Sequence, residues 1–212
     1  MSTPDAGVAV YRGQTLDDRI DERRKQLLDA AFTLLAHGGI TAITMRAVAR
    51  QASLSPRYFY ESFADRSALL AAMFEQTMVA FAQAVSTAIQ ASATDPLSQT
   101  KAAIAAVTEL LDSDPTIARL LQESLAEDAL RDTASAAIPR FIEMTAGLLI
   151  DDAWYRTADP IKMRLDISAL TGSLTRLFID RSERRFDVSR DDFIDYCTGL
   201  IADLVQRRQS RR

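Results

Sequence analysis

Apolar residues recur every three or four positions along most of the chain, a spacing that predicts helices and no strands. From about Asp17 to His37 they fall at Ile20, Leu27, Leu28, Ala31, Leu34 and Leu35, one stripe of one helix. Gly38-Gly39 ends it, because glycine takes the left-handed cap conformation without steric penalty. A short second helix spans Met45 to Gln51. Thr44 supplies its N-cap oxygen, and Ile43, Val48 and Ala49 face inward. The turn Ala52-Ser53-Leu54 follows. Ser55 is placed to cap a third helix, and Pro56 suits a first turn, where no amide donor is required. Phe59 and Phe63, four apart, anchor that helix, so Arg57, Tyr58 and Glu61 point outward with Tyr60 at the edge.

Beyond Ser67 a longer helix carries Phe74, Met78, Phe81, Val85 and Ile89 on one stripe, until Asp95-Pro96 breaks it. Further helices are expected over Pro96–Leu111, Thr116–Glu127 and Asp132–Ile150. After Asp159-Pro160 another runs from about Ile161 to Arg181, with Met163, Ile167, Leu170, Leu174 and Phe178 on one face and Gly172-Ser173 in its middle. The final helix, from about Asp191 to Arg208, has a wide apolar face built on Phe193, Cys197, Leu200 and Leu204. Residues 1–16 lack periodicity and read as a flexible arm, in which Arg12 either reaches a phosphate or is solvated. No tandem repeat is evident.

Composition adds constraints. Hydrophobic residues make up 48% and charged residues 25% of 212, an ordinary globular balance. The net charge is −4, which argues against a general polyanion binder. The charge is uneven: residues 1–70 hold nine Lys/Arg against eight Asp/Glu, and 71–212 hold sixteen against twenty-one. Any DNA contact must therefore come from a local patch. One cysteine, Cys197, excludes an intramolecular disulfide and a multi-cysteine zinc site, and its place on an apolar stripe suggests a core thiol. His37, the only histidine, has no second histidine to share metal or catalytic work, and sits where an imidazole meets helix-end carbonyls. The N-terminus lacks the charged-then-apolar run of a signal peptide. The longest uncharged stretch, Gln76 to Thr94, is interrupted by Gln, Ser and Thr, so no membrane span is expected and a cytoplasmic location is.

Two short helices joined by a tight turn, with cationic and phenolic groups on the second, are the parts of a helix-turn-helix. The alternative from composition is an ordinary helical hairpin with surface Tyr and Arg. In the first reading Ser55 and Arg57 are short or forked donors at the start of a groove-entering helix, and Arg57 can grip a guanine edge with two hydrogen bonds. Tyr58 and Tyr60 offer hydroxyls to phosphates. Thr44 and Arg46 open the preceding helix, where the positive dipole end favours an anion.

The stretch ITMRAVARQASLSPRYFYESFADRSALL, Ile43 to Leu70, resembles the DNA-binding signature of the tetracycline-repressor (TetR) family. Leu54, Ser55, Phe59, Tyr60, Phe63, Arg66, Leu69 and Leu70 stand at its positions, and the resemblance covers about fifty residues, from the first helix to Leu70. It implies an all-α protein of about nine helices. Residues 17–66 would form a helix-turn-helix DNA-binding domain and 67–212 a helical effector-binding and dimerisation domain. Thr44, Arg46, Ser55, Pro56, Arg57, Tyr58, Tyr60 and Arg66 become the expected DNA contacts. Three departures concern the operator: Ser53 stands where the family usually has Gly, Pro56 stiffens the recognition helix, and Glu61 adds a negative charge that either repels phosphate or reads a cytosine amino group.

The resemblance further implies that the last two helices pair with their copies in a homodimer, through Leu170, Leu174, Phe193, Cys197, Leu200 and Leu204. It also implies a pocket for a small apolar or amphipathic effector. Met78, Phe81, Phe141, Met144, Trp154, Tyr155, Met163 and Phe178 are candidate lining residues, with Arg119 or Gln122 as polar anchor; a Met or aromatic at helical spacing is more often plain core. No glycine-rich phosphate loop or Ser-His-Asp set recommends catalysis, and no cofactor or metal is expected. Asp151-Asp152 and Asp191-Asp192 read as helix-end acids rather than ligands. The expectation is a dimeric, ligand-responsive repressor on a double-stranded operator. Its rivals are a DNA-binding regulator without a ligand and a helical small-molecule carrier or enzyme without DNA.

Overall fold

A computed structural model describes residues 16–124, 126–149 and 160–209. The arm before Leu16, Arg12, Asp151-Asp152, Trp154, Tyr155, the Met163 side chain and the last arginines lie outside the described residues or side chains. Within them are nine α-helices and no strand: α1 Leu16–Gly38, α2 Met45–Gln51, α3 Pro56–Ser62, α4 Arg66–Ala91, α5 Pro96–Ser113, α6 Pro115–Ser124, α7 Asp128–Leu149, α8 Pro160–Ser182 and α9 Arg190–Gln209. A single 3-10 turn, Ile40–Ala42, links α1 to α2.

The chain divides into two compact units, Met1–Met73 and Phe74–Arg212. The first extends beyond the expected end at residue 66, because Leu69, Leu70 and Met73 of α4 are fully buried. In it α1, α2 and α3 pack on one another around Leu27, Leu35, Ile43, Val48 and Phe59, none of which is exposed. Gly39 at φ 71 turns the chain out of α1, and a Cβ on Gly38 would meet that of Ala42 at 2.6 Å. His37 donates from Nδ1 to the Thr33 carbonyl at 2.7 Å, a local tie in the last turn.

In the second unit the buried face of α5 (Thr100, Ala103, Ile104, Thr108, Leu111) repeats every three or four residues, and α5 packs on α9, α6, α7 and α8. The Asp95 carboxylate caps α5 by accepting from the Ser98 amide at 2.9 Å; hydrogen bonding by the Ser98 side chain, and then by that amide, holds its pKa below the ordinary value. Thr100 and Thr108 hide their hydroxyls by donating 2.7 Å bonds to the carbonyls of Pro96 and Ile104. Phe178 of α8 meets Phe193 of α9 edge-on at 5.3 Å. Arg181 grips Asp112 with two bonds of 2.6 and 3.0 Å and lies 5.2 Å from the Phe193 ring. By length and composition α4 is, among the described helices, the one long and apolar enough to cross a membrane; 44% of its apolar window is buried inside the protein.

Pro139 sits inside α7, which sequence periodicity had carried through without a break. It has no amide hydrogen to give the Ser135 carbonyl. Ser135 and Pro139 line an open cleft of about 740 Å³ between α7 and α8, with Arg131, Ile138, Glu143, Arg164, Ile167 and Thr171 among its other walls.

Candidate nucleic-acid interface

α2 starts where Thr44 stops the 3-10 turn. The Thr44 hydroxyl accepts from the Ala47 amide at 3.2 Å, as its N-cap position predicts. Such a cap contributes about 1 kcal/mol. The helix ends in a paired motif: the Ser53 amide bonds the Arg50 carbonyl at 3.1 Å, and the Leu54 amide bonds the Ala49 carbonyl at 2.9 Å. That pairing requires the residue between them to be left-handed, and Ser53 has φ 55. The turn thus accepts a Cβ where glycine would fit without strain.

α3 opens on Ser55 and Pro56. Ser55 occupies the N-cap position, but its hydroxyl makes no capping bond, contrary to expectation. Proline at the first helical position already removes one amide that would need a partner, and the exposed hydroxyl remains available to a ligand. Phe59 and Phe63 anchor the helix inward, with rings 5.8 Å apart. The two tyrosines exchange the roles expected of them. Tyr60 is 58% exposed, and Tyr58 is half-buried under the Arg23 guanidinium, 4.5 Å from its ring centre. The reason is tertiary: α1 runs beside the Tyr58 face of α3.

Two arginines of α1 brace α3 in a way the sequence did not announce. Arg23 reaches Glu61 at 3.4 Å, and Arg24 donates to the Ser62 carbonyl at 3.0 Å while lying 4.3 Å over Phe63. Glu61 also accepts from Arg57 Nε at 2.9 Å. Glu61 is therefore neither a lone repulsive charge nor an unattached base reader; it joins two arginines, Arg23 of α1 and Arg57 of its own helix.

Of the eight residues expected to touch DNA, Thr44, Arg46, Ser55, Pro56, Arg57 and Tyr60 are exposed on α2, α3 and their caps. Arg50, not among those eight, is exposed as well, and neither it nor Arg46 is in an ion pair among the described residues. Arg66 bonds within the head. Its Nε and Nη2 donate to the carbonyls of Ile43 at 2.7 Å and Ile40 at 2.8 Å. It holds the junction before α2 from within the head.

The other expected residues are dispersed. Of the seven candidate effector residues whose side chains are described, none lines the α7–α8 cleft. Phe81 and Phe141 lie with ring centres 6.0 Å apart, Phe141 packed against the cluster of Val85, Ile89 and Ala103. Phe178 is buried against Phe193, and Arg119 is paired with Glu123 at 2.7 Å. Met78 is half-buried, while Gln122 and Met144 are exposed. Of the six candidate dimer residues, Leu174, Phe193 and Cys197 are buried within the chain itself. The face they occupy packs on neighbouring helices of the same chain. Leu170, Leu200 and Leu204 are half-buried. Burial pushes the Cys197 thiol up to about 11, which keeps it protonated and unreactive.

Comparison with known proteins adds the following. Residues 27–73 match the family model described as bacterial regulatory proteins, tetR family. A repressor named KstR from Rhodococcus jostii (strain RHA1) is 30% identical over 116 residues, 55% of this chain and 51% of the relative. A regulator named BetI from Paraburkholderia xenovorans (strain LB400) is 33% identical over 84 residues, 40% of this chain and 43% of that one. Each match thus spans about half the length of the curated relative or less. A crystal structure of a TetR family transcription regulator from Marinobacter aquaeolei VT8 superposes with a TM-score of 0.64 at 17% identity, covering 89% of this chain and 97% of that chain. At that identity the likeness concerns the fold.

Proposed function

We propose that the chain, whose residues 27–73 match the model of the tetR family of bacterial regulatory proteins, is a member of that family: a DNA-binding transcriptional regulator that acts as a ligand-responsive repressor in the cytoplasm. The observation that carries this reading is the α2–turn–α3 unit. Its inner face is fixed by Val48, Phe59 and Phe63, and its exposed groups are hydroxyls and guanidinium forks. A helix entering the major groove needs such groups at its start. Local charge is weak here, Arg46, Arg50 and Arg57 against Glu61, and Glu61 is paired with Arg57. Two heads acting together supply the missing affinity, on half-sites about 34 Å apart, one helical turn.

The dimer surface we propose lies on the uncovered sides of α8 and α9, where Ile161 is 72%, Leu165 64% and Tyr196 63% exposed. Gly199, in the middle of α9, faces open space, a position at which a second helix can approach closely. The α7–α8 cleft, with an apolar floor of Ala134, Ile138 and Ile167 and arginines around it, suits an amphipathic effector. Such a molecule releases DNA only through its differential affinity for two states of the dimer.

The test is selection of bound sequences from a randomised duplex pool by the full chain, then gel shift at fixed salt. Enrichment of a two-fold symmetric site is expected, and a pool that stays random would sink the proposal. Removing the chain from Pro160 onward should leave a monomer in sedimentation; a dimer of that fragment would refute the α8–α9 interface.

A further inference from the structure

We propose that Glu61 is a positioning residue for Arg57, pinning its Nε so that the two terminal nitrogens meet a guanine end-on; this rests on the DNA-binding reading and deepens it.

An arginine reads guanine by giving two parallel N–H bonds to O6 and N7. A guanidinium has two faces able to do so, one using Nε with a terminal nitrogen and one using both terminal nitrogens. In this head the first face is taken, because Arg57 Nε donates to Glu61 Oε1 at 2.9 Å. The Arg57 side chain is 85% exposed, and its terminal nitrogens bond nothing among the described residues. Only the end-on face is left for a base.

A surface pair four residues apart on a helix is worth only a few tenths of a kcal/mol and would not by itself hold a long side chain. Here the acid has a second anchor. Glu61 Oε2 faces Arg23 Nη1 at 3.4 Å. Arg23 is in turn fixed, its Nε on the Arg19 carbonyl at 2.9 Å and its guanidinium over Tyr58, with the side chain 20% exposed. Orientation therefore passes from α1 through Glu61 to Arg57. A pre-oriented arginine surrenders less rotamer freedom on binding than a free one. The cost is a carboxylate close to phosphates, which weakens binding to every duplex alike. Glu61 thus acts in opposite directions on discrimination and on general affinity, and the two are separately measurable.

The experiment takes the duplex that the full wild-type chain enriches from a randomised pool, single-base variants of it, and an unrelated duplex of equal length. Arg57→Ala should erase the preference for guanine at one position of each half-site. Glu61→Ala should reduce that preference about 3- to 10-fold while raising affinity for the unrelated duplex about 2- to 5-fold. Glu61→Gln keeps an acceptor for Nε, so it should retain the preference and share only the general gain. Glu61→Asp keeps the charge but is too short to reach Nε. It should lose the preference without the gain, and it carries the test if the alanine variant fails to fold. Unchanged guanine preference in both Glu61→Ala and Glu61→Asp would overturn the proposal. So would an equal weakening of all duplexes together with a lower melting temperature, the signature of a merely structural tie. A wild-type chain that enriches no duplex would instead remove the DNA-binding premise itself.

Discussion

Ser53→Gly should stabilise the protein, and the structure gives both the sign and the size. Ser53 sits at φ 55 in the turn between α2 and α3, is exposed, and is locked there by the Ser53–Arg50 and Leu54–Ala49 backbone bonds. The left-handed conformation costs an L-residue about 1–2 kcal/mol. Glycine escapes that strain but loses more freedom on folding, about 0.5–1 kcal/mol. The difference leaves a gain of about 0.5–1 kcal/mol for Ser53→Gly. For a chain of this length that is a rise in Tm of about 1–4 °C. Ser53→Val should move the other way, since a β-branched side chain tolerates positive φ least. Thermal unfolding followed by far-UV circular dichroism, with urea titration as a second measure, reads both variants. A Ser53→Gly protein no more stable than wild type, beside a Ser53→Val protein of equal stability, would refute the left-handed turn and the strain assigned to it.

Arg66→Ala should destabilise the head by about 2–4 kcal/mol, through the two charge-assisted bonds to Ile40 and Ile43. Its salt dependence of DNA binding should stay near that of wild type; a slope lower by about one unit with unchanged stability would return Arg66 to the phosphates. Cys197 should resist iodoacetamide at pH 8 in the native protein and react on unfolding, and rapid native labelling would contradict its burial. Its folded pKa, about 11, is raised from 9.0. The stability it contributes is therefore complete below pH 9 and is lost as pH rises toward 11, because the unfolded thiol ionises first. Cys197→Ala should flatten that limb of the pH–stability profile.

Much of the head was legible in the sequence because its signals are local. The Thr44 cap, the Gly39 turn and the Phe59–Phe63 anchor each involve residues within four positions of one another, and each stands where the pattern put it. The Asp95-Pro96 break likewise became the cap and first turn of α5. Periodicity gave the nine described helices but passed over Pro139, since about six turns of helical pattern do not register one missing amide hydrogen.

What only tertiary structure decided are the partners. Arg23 and Arg24 lie 38 residues from Glu61 and Ser62, and Arg66 lies 23 and 26 from the carbonyls it holds. No periodic trace in the chain records such separations. For the same reason the sequence identified the apolar stripes of α8 and α9 but not their destination. Leu174, Phe193 and Cys197 turned inward to their own chain, while Ile161, Leu165 and Tyr196 stayed uncovered. An apolar stripe specifies that a face must be buried; which neighbour buries it depends on how the helices meet. The same limit applies to Glu61. Its charge was visible in the sequence, but its hold on Arg57 and its brace from Arg23 exist only once α1 and α3 are packed together.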